Sequence, residues 1–332
     1  MDIHAATLTL DSHIDIRWPD PPDPLGEGPM RVDFPQMQRG GLRAAIFIAY
    51  VGQGKRDAAG HAAAAERVEA MLRHIRGRAD GEARRFCATP DELEAAHAAG
   101  ALAVLSAVEN GYAMGHDLGA PARWRALGAC YLTLTHDGHN ELADSARPQA
   151  RLGDAPAEHG GLSPLGRQAI GALNAAGMLV DVSHVAKSGM LQAAELSRSP
   201  IVATHTACRA LCDHPRGIDD EQLDALKAVG GLAQITAVPG FLKKVPEGQR
   251  NLASVEDMVD HVDHAVRRIG LEHVGLSSDF DGGGAVEGWQ NAAETANLTA
   301  ALVKRGYGAR EIGLLWSGNF LRIWRRAAAL AG

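Results

Sequence analysis

Cysteine is scarce in this 332-residue chain: Cys87, Cys130, Cys208 and Cys212 are its only four, and no CxxC pair exists. So few thiols exclude a disulfide scaffold at this length. Cys208 and Cys212 stand four apart, a helical spacing, and read as small buried thiols. An excess of positive charge is also missing. Lys+Arg number 33 against 40 Asp+Glu, a net −7 spread along the chain, so the surface has no general attraction for phosphate backbones or anionic lipid and nucleic acid is not an expected partner. No apolar run approaches the ~20 residues of a membrane span. The start, Met1-Asp2-Ile3-His4, shows no basic region followed by an apolar stretch. The expectation is a reduced, cytoplasmic protein with no membrane partner. What remains is ordinary globular composition, 46% hydrophobic and 22% charged, which excludes a disordered chain, a coiled coil and a fibrous repeat.

At ~150 residues per domain the length suggests two domains, but α/β barrels run to ~250 residues or more as one unit. The patterning favours one domain over 1–332. Eight short apolar runs recur: Thr7–His13, Ala44–Tyr50, Ala101–Glu109, Tyr131–His136, Met178–His184, Ile201–Thr206, Leu232–Val238 and His273–Asp279. Several are apolar at consecutive positions, as expected of strands covered on both faces of a parallel sheet. The intervals carry helix punctuation. Thr89-Pro90-Asp91-Glu92 and Ser254-x-x-Asp257 read as helix starts, and Ser163-Pro164 opens a segment that stops at Gly177. Strand–helix alternation eight times over predicts an α/β fold, a (β/α)₈ TIM-type barrel, distorted, with an extra C-terminal helix near Arg310–Ala329. A doubly wound open sheet is the runner-up, and its glycine fingerprint is missing; Gly52-Gln53-Gly54-Lys55 is too short for a P-loop and reads as a turn. Two irregular stretches, Trp18–Pro29 and Asp137–Gly161, read either as surface connections or as a rim over the strand ends.

His13-x-Asp15 is weak by itself, since chance supplies roughly one His-x-Asp in a chain of this composition. A second copy, His261-Val262-Asp263, falls in the predicted helix after Ser254 and reads as a solvated helix face. The first copy ends a strand, where alternate residues project the same way. Glu109, His136, His184, His205 and Asp279 end five further strands, on the face where barrel enzymes build their sites. Collecting so many ionisable groups is costly unless metal or mutual pairing neutralises them. Imidazole and carboxylate without thiolate suit zinc, and also Mn, Fe, Co or Ni. Three histidines and two acids exceed what one catalytic ion takes, so two divalent ions sharing a carboxylate fit better.

On these segments the chain resembles the membrane (renal) dipeptidase family of the amidohydrolase superfamily. The matching segments are Asp11-Ser12-His13-Ile14-Asp15, Ser106-Ala107-Val108-Glu109, Tyr131 to His136, and Gly161-Leu162-Ser163-Pro164-Leu165-Gly166. They continue through Gly177 to His184, Thr204-His205-Thr206, Arg216, Ser278-Asp279-Phe280-Asp281-Gly282 and Gly318 to Arg322. The resemblance implies one zinc held by His13, Asp15 and Glu109 and a second held by Glu109, His184 and His205, with Glu109 bridging. It further implies that His136 binds the scissile carbonyl, that Asp279 shuttles the proton, that Arg216 anchors the substrate's C-terminal carboxylate and that Tyr50 lines the pocket near the amino group. The implied activity is hydrolysis of dipeptides with free termini, D-residues at the C-terminal position included, by a homodimer. The animal members' secretory signal and lipid anchor are not expected here, and Phe241 stands where a pocket tyrosine is expected. Two other readings are a related hydrolase of N-acyl amino acids, lactones or phosphodiesters, and a non-catalytic metal-binding barrel; the second is disfavoured by the presence of Asp279.

Overall fold

The computed structural model describes residues 2–16, 18, 28–79, 81–246 and 248–331. Among the described residues nine strands form one parallel sheet: β1 (Leu10–Asp15), β2 (Ala44–Tyr50), β3 (Arg84–Phe86), β4 (Leu102–Glu109), β5 (Ala129–Thr133), β6 (Leu179–Asp181), β7 (Val202–Thr206), β8 (Leu232–Thr236) and β9 (Val274–Ser277). The order is β1-β2-β4-β5-β6-β7-β8-β9, and β3 pairs only with the start of β4. The ends of the row meet just past β9, where Asp15 N–H donates to Phe280 O at 3.0 Å and Asp279 N–H donates to His13 O at 3.1 Å. The result is the expected (β/α)₈ barrel with a small ninth strand outside the row. Three residues long and only partly buried, β3 carries too little apolar pattern to be read from sequence. Among the described residues, no helix is long and apolar enough to cross a membrane. The proline-rich stretch lies, apart from Trp18, Gly28 and Pro29, outside the described residues.

Side-chain alternation shows how the barrel is filled. Along β2, Ala44, Ile46 and Ile48 join one apolar cluster while Ala45, Phe47 and Ala49 join another. Along β4, Ala103, Leu105 and Ala107 belong to the first cluster, and Val104 and Val108 to the second. The first cluster is the barrel interior. It also takes in Phe320, Ile323 and Trp324, so the extra C-terminal helix forms the barrel floor. That helix runs Ala309–Gly313, a π turn at Leu314–Gly318, then Asn319–Ala328. Asn319 fastens it to β9 by donating to Leu271 O at 2.7 Å and Val274 O at 2.8 Å.

The helix punctuation acts as expected. Thr89 and Ser254 head capping boxes with Glu92 and Asp257, Ser163 accepts from Gly166 N–H, and Gly177 ends its helix in the left-handed region at φ 70°. The polar stretch after β5 is stitched down rather than loose. Asp144 accepts from the N–H groups of Glu158 (2.9 Å), His159 (3.0 Å) and Gly161 (2.9 Å), and Ser145 Oγ donates to His136 O at 2.6 Å. It forms a rim at the C-terminal strand ends, the second of the two readings for this segment.

Removing the floor should loosen the whole barrel. Trp324 is fully buried, and Trp324→Ala is expected to cost about 3–5 kcal/mol, read as a lower urea midpoint at unchanged slope. A shift below ~1 kcal/mol would show that the helix is dispensable to the core.

Candidate metal centre

Continuing the inward alternation of β2 and β4 leads to Tyr50 and Glu109, register partners at the last position of their strands. His13 and Asp15 come from β1, and His205 from β7. His136, His184 and Asp279 stand beyond the ends of their strands, not on them as the sequence pattern suggested: β5 stops at Thr133, β6 at Asp181 and β9 at Ser277. Two of the three reach the site by backbone of positive φ, His184 at 66° and Asp279 at 58°. Side chains other than glycine adopt that region reluctantly, and such residues collect at functional sites. Asp15, Glu109, His136, His184, His205 and Asp279 open onto a cavity of about 300 Å³, whose wall also includes Asp137, Arg147, Arg216, Val238, Phe241, Gly282 and Gly283. That size is at the small end of sites for small molecules, ~300–1,000 Å³.

Glu109 lies at the centre and splits its two oxygens between two groups. Oε1 faces His184 Nε2 at 3.3 Å and His205 Nε2 at 3.4 Å. Oε2 faces His13 Nε2 at 3.5 Å, and that nitrogen is 4.0 Å from Asp15 Oδ1. Donor atoms of His13, Glu109 and His205 lie mutually within 4.8 Å, as do those of Glu109, His136 and His184. Thus His136, read from sequence as a catalytic and substrate-binding residue and not as a ligand, also stands within ligand reach, and His205 lies close to both groups.

The donor set fits divalent cations. Asp15 Oδ1 and Glu109 Oε1 are buried without any hydrogen-bond partner, a costly state for a carboxylate. Two donors each ~2.1 Å from one tetrahedral ion lie ~3.4 Å apart, which matches the spacings around Glu109. Gly282 keeps the approach clear, because a Cβ there would sit 2.3 Å from Asp279 Oδ1 and 2.6 Å from Asp15 Oδ2.

The site's electrostatics follow from crowding. Burial opposes charge on Glu109, yet His13 holds the carboxyl well below its usual range. Burial and the neighbouring Glu109 push Asp15 well up. Burial raises Asp279 to about 7, with Glu109 adding to the rise and His13 and Arg216 opposing it. Burial would strip His13 of its proton, but Glu109, Asp279 and Asp15 outweigh it and hold the imidazole at about 9. His136 goes the other way, to about 3, through burial and the nearby His184.

Arg216 is only 3% exposed. Its Nη2 donates to His205 O at 3.3 Å, its Nε has no partner, and its guanidinium lies 5.4 Å from the Phe241 ring centre. Phe241 therefore belongs to the cavity wall, where a pocket residue was expected. Tyr50 packs its ring 4.8 Å from that of His136, the hydroxyl 3.5 Å from Nδ1.

Sequence reasoning missed several neighbours. Asp137 Oδ1 faces His184 Nδ1 at 3.4 Å while Oδ2 meets Arg147 at 3.2 Å. Asp11, within the first matching segment, accepts from Ser278 N–H at 3.0 Å and ties β1 to the chain beyond β9. Asp181 and Tyr131 lie directly beneath the histidines; a lone acid or tyrosine inside an apolar run carries no sequence signal for such a place. One expectation is corrected. His261 is not on a solvated helix face; it is 1% exposed, with Nδ1 accepting from Cys208 N–H at 2.9 Å and Nε2 donating to Leu242 O at 3.1 Å. The helix turns this histidine inward to satisfy loop backbone that packing has removed from water.

Comparison with known proteins follows the same line. A profile described as Membrane dipeptidase (Peptidase family M19) matches residues 1–332. The chain is 34% identical over 251 residues to Dipeptidase tcpJ of Claviceps purpurea, covering 73% of this chain and 57% of that one. It is 32% identical over 252 residues to Dipeptidase 3 of Macaca fascicularis, covering 74% and 50%. It thus spans about half the length of these relatives. Among solved structures, the probable dipeptidase PvdM from Pseudomonas aeruginosa superposes with a TM-score of 0.92 at 29% identity, covering 99% of this chain and 97% of that one. A metallo peptidase from Rhodobacter sphaeroides, liganded with a phosphinate mimic of the dipeptide L-Ala-D-Ala, superposes at 0.84 with 25% identity, covering 97% and 99%.

The charge balance predicts proton-coupled metal uptake. His13, held at about 9 in the metal-free site, must lose its proton before Nε2 can ligate, so protons and cations compete below that pH. Zinc affinity is expected to rise from pH 7 to pH 9, with at least one proton released per chain at pH 7. Calorimetry in two buffers of unlike ionisation enthalpy measures the release, and identical heats in both would contradict it.

Proposed function

The chain belongs to the membrane dipeptidase family, peptidase family M19, and from that premise we propose that it is a binuclear metal-dependent dipeptidase, with zinc as the first candidate metal. The supporting observation is the division of Glu109 between His13 on one oxygen and His184 with His205 on the other, in a cavity that also contains a buried arginine. In this reading His13, Asp15 and Glu109 hold one ion, and Glu109, His184 and His205 the other. Divalent ions there would supply Lewis acidity, making a bound water acidic near neutral pH and polarising the peptide carbonyl.

The protein's own groups do the rest. Asp279, raised to about 7, is suited to accept the proton of the attacking water and to return it to the leaving amine, since a shuttle works best near ambient pH. His136, held neutral by burial, gives one N–H donor that can meet the carbonyl oxygen as negative charge develops on it. Arg216 has an unpartnered Nε and a planar fork that matches a carboxylate. Fixed beside His205, it selects substrates whose free C-terminus lies a set distance from the scissile bond. Tyr50, beside His136, lines the end that receives the free amino group. The mimic bound by the Rhodobacter sphaeroides relative has a D-residue in the C-terminal position, which supports including such substrates here. A single barrel domain over 1–332, a homodimer and a cytoplasmic setting complete the proposal; four buried free cysteines suit a reducing compartment.

Three measurements test the reading. Metal-loaded protein should hydrolyse dipeptides with free ends and lose at least about tenfold in kcat/KM on C-terminally amidated ones; equal turnover would remove Arg216 from its role. Arg216→Met should lower kcat/KM for dipeptides by about 2–4 kcal/mol of transition-state binding and spare substrates without a carboxylate. Asp279→Asn should reduce kcat by about 10²–10⁴-fold, and undiminished hydrolysis would exclude it as the shuttle.

A further inference from the structure

We infer that the hydroxyl groups of Tyr131 and Thr204 are positioning groups that dictate which nitrogen His13 and His205 present to Glu109, each governing one half of the centre. The inference rests on the metal-binding reading above and extends it to two residues outside the ligand set.

A neutral imidazole has one protonated and one free nitrogen, and only the free one can bind a cation. The partner of the other nitrogen therefore decides whether the ring is ready. The Tyr131 hydroxyl lies 2.9 Å from His13 Nδ1 and 2.8 Å from Ser12 O. A carbonyl oxygen can only accept, so the phenolic hydrogen goes to Ser12. Towards His13 the hydroxyl has only a lone pair to offer. Nδ1 must then donate, and the free pair of His13 stays on Nε2, facing Glu109 Oε2 at 3.5 Å.

His205 obeys the same logic through a different relay. Thr204 Oγ1 lies 2.7 Å from Asp181 Oδ2 and 3.0 Å from His205 Nδ1. The Asp181 carboxylate also receives Thr133 Oγ1 at 2.6 Å, Ser183 Oγ at 2.8 Å, Ser183 N–H at 3.0 Å and Thr204 N–H at 3.1 Å. Surrounded by donors, it is the acceptor for the threonine hydrogen, a bond strengthened by its charge. Thr204 then accepts from His205 Nδ1–H, which leaves Nε2 free at 3.4 Å from Glu109 Oε1. In both relays the hydroxyl's hydrogen is already committed, so the opposite tautomer, which would aim an N–H at the ion position, has no place for its other nitrogen.

The test uses the zinc-loaded full chain. Stepwise competition with a chelator yields the affinities of the two ions, and spectra of histidine-¹⁵N-labelled protein show which nitrogens carry hydrogen. Wild type should hold two ions, with hydrogen on Nδ1 of both His13 and His205. Tyr131→Phe should weaken one ion roughly 10–100-fold and leave the other within about twofold, Thr204→Val should weaken the other ion by a similar factor, and Thr204→Ser, which keeps the hydroxyl, should restore it. If wild type holds two ions and neither Tyr131→Phe nor Thr204→Val changes either affinity, the relay is overturned while the metal reading stands. If wild type retains no zinc, the metal reading falls and the relay with it.

Discussion

One buried carboxylate sets the terms for the mouth of this barrel. Glu109 is 2% exposed, and an isolated charge at that depth would cost several kcal/mol. Its compensation comes from three imidazoles: His13, His184 and His205 each place Nε2 within 3.5 Å of it. The arrangement is not self-sufficient, because Asp15 and Asp279 crowd the same space and burial drives both towards their protonated forms. A cluster with one carboxyl held low and two pushed high is short of positive charge. In the proposed reading divalent cations would cure that deficit in a way that protons, which would occupy the candidate ligand nitrogens, cannot.

The fold serves this centre through alternation and then by departing from it. On β2 and β4 the inward face is apolar until the last position, where Tyr50 and Glu109 replace Ile and Ala. Below them the interior is packed and floored by Phe320 and Trp324, which gives the candidate ligands a packed base. Above them regular pairing stops. His184 and Asp279 turn through the left-handed region, and Gly282 keeps clear of the two carboxylates beside it. Strain of this kind persists only where the surroundings over-determine it; here the anchors are Asp279 N–H on His13 O and Ala146 N–H on His184 O.

Much of this was legible beforehand, and the gaps have physical causes. Eight barrel strands could be read because doubly covered strands are apolar at every position, and the helices because their caps are spelled out in Thr89, Ser163, Gly177 and Ser254. Every candidate site residue from His13 to Asp279 is drawn to one cavity or its immediate wall. Strand ends were less legible: apolar runs continue into the loops, so His136, His184 and Asp279 looked like strand residues although the ladder ends two or three positions earlier. His261 was misread because a polar residue on an amphipathic helix normally faces water, and only the tertiary contact with Cys208 and Leu242 reveals otherwise. Asp137, Tyr131 and Asp181 went unnoticed since their importance lies in which atom they face, and spacing along the chain does not encode that.

The proposed two-ion centre would serve many hydrolytic reactions, since a fold and its ions define chemistry more than substrate. What narrows the choice is Arg216. A buried guanidinium without a carboxylate partner among the described residues is nearly as costly as the buried carboxylates it accompanies, and burial already weakens its hold on its proton. Glu109, Asp279 and Asp137 favour its charge from a distance, but its Nε is left open. An anionic ligand that enters the cavity therefore relieves a deficit already present at this position. The Phe241 ring, 5.4 Å from the guanidinium, covers one side of Arg216 against that anion, and the 3.3 Å contact from Arg216 to His205 O holds the guanidinium beside the proposed ligand His205. In the proposed function a free carboxylate one residue from the scissile bond satisfies both constraints, so dipeptide length would be selected by geometry that the proposed metal ligands alone do not impose.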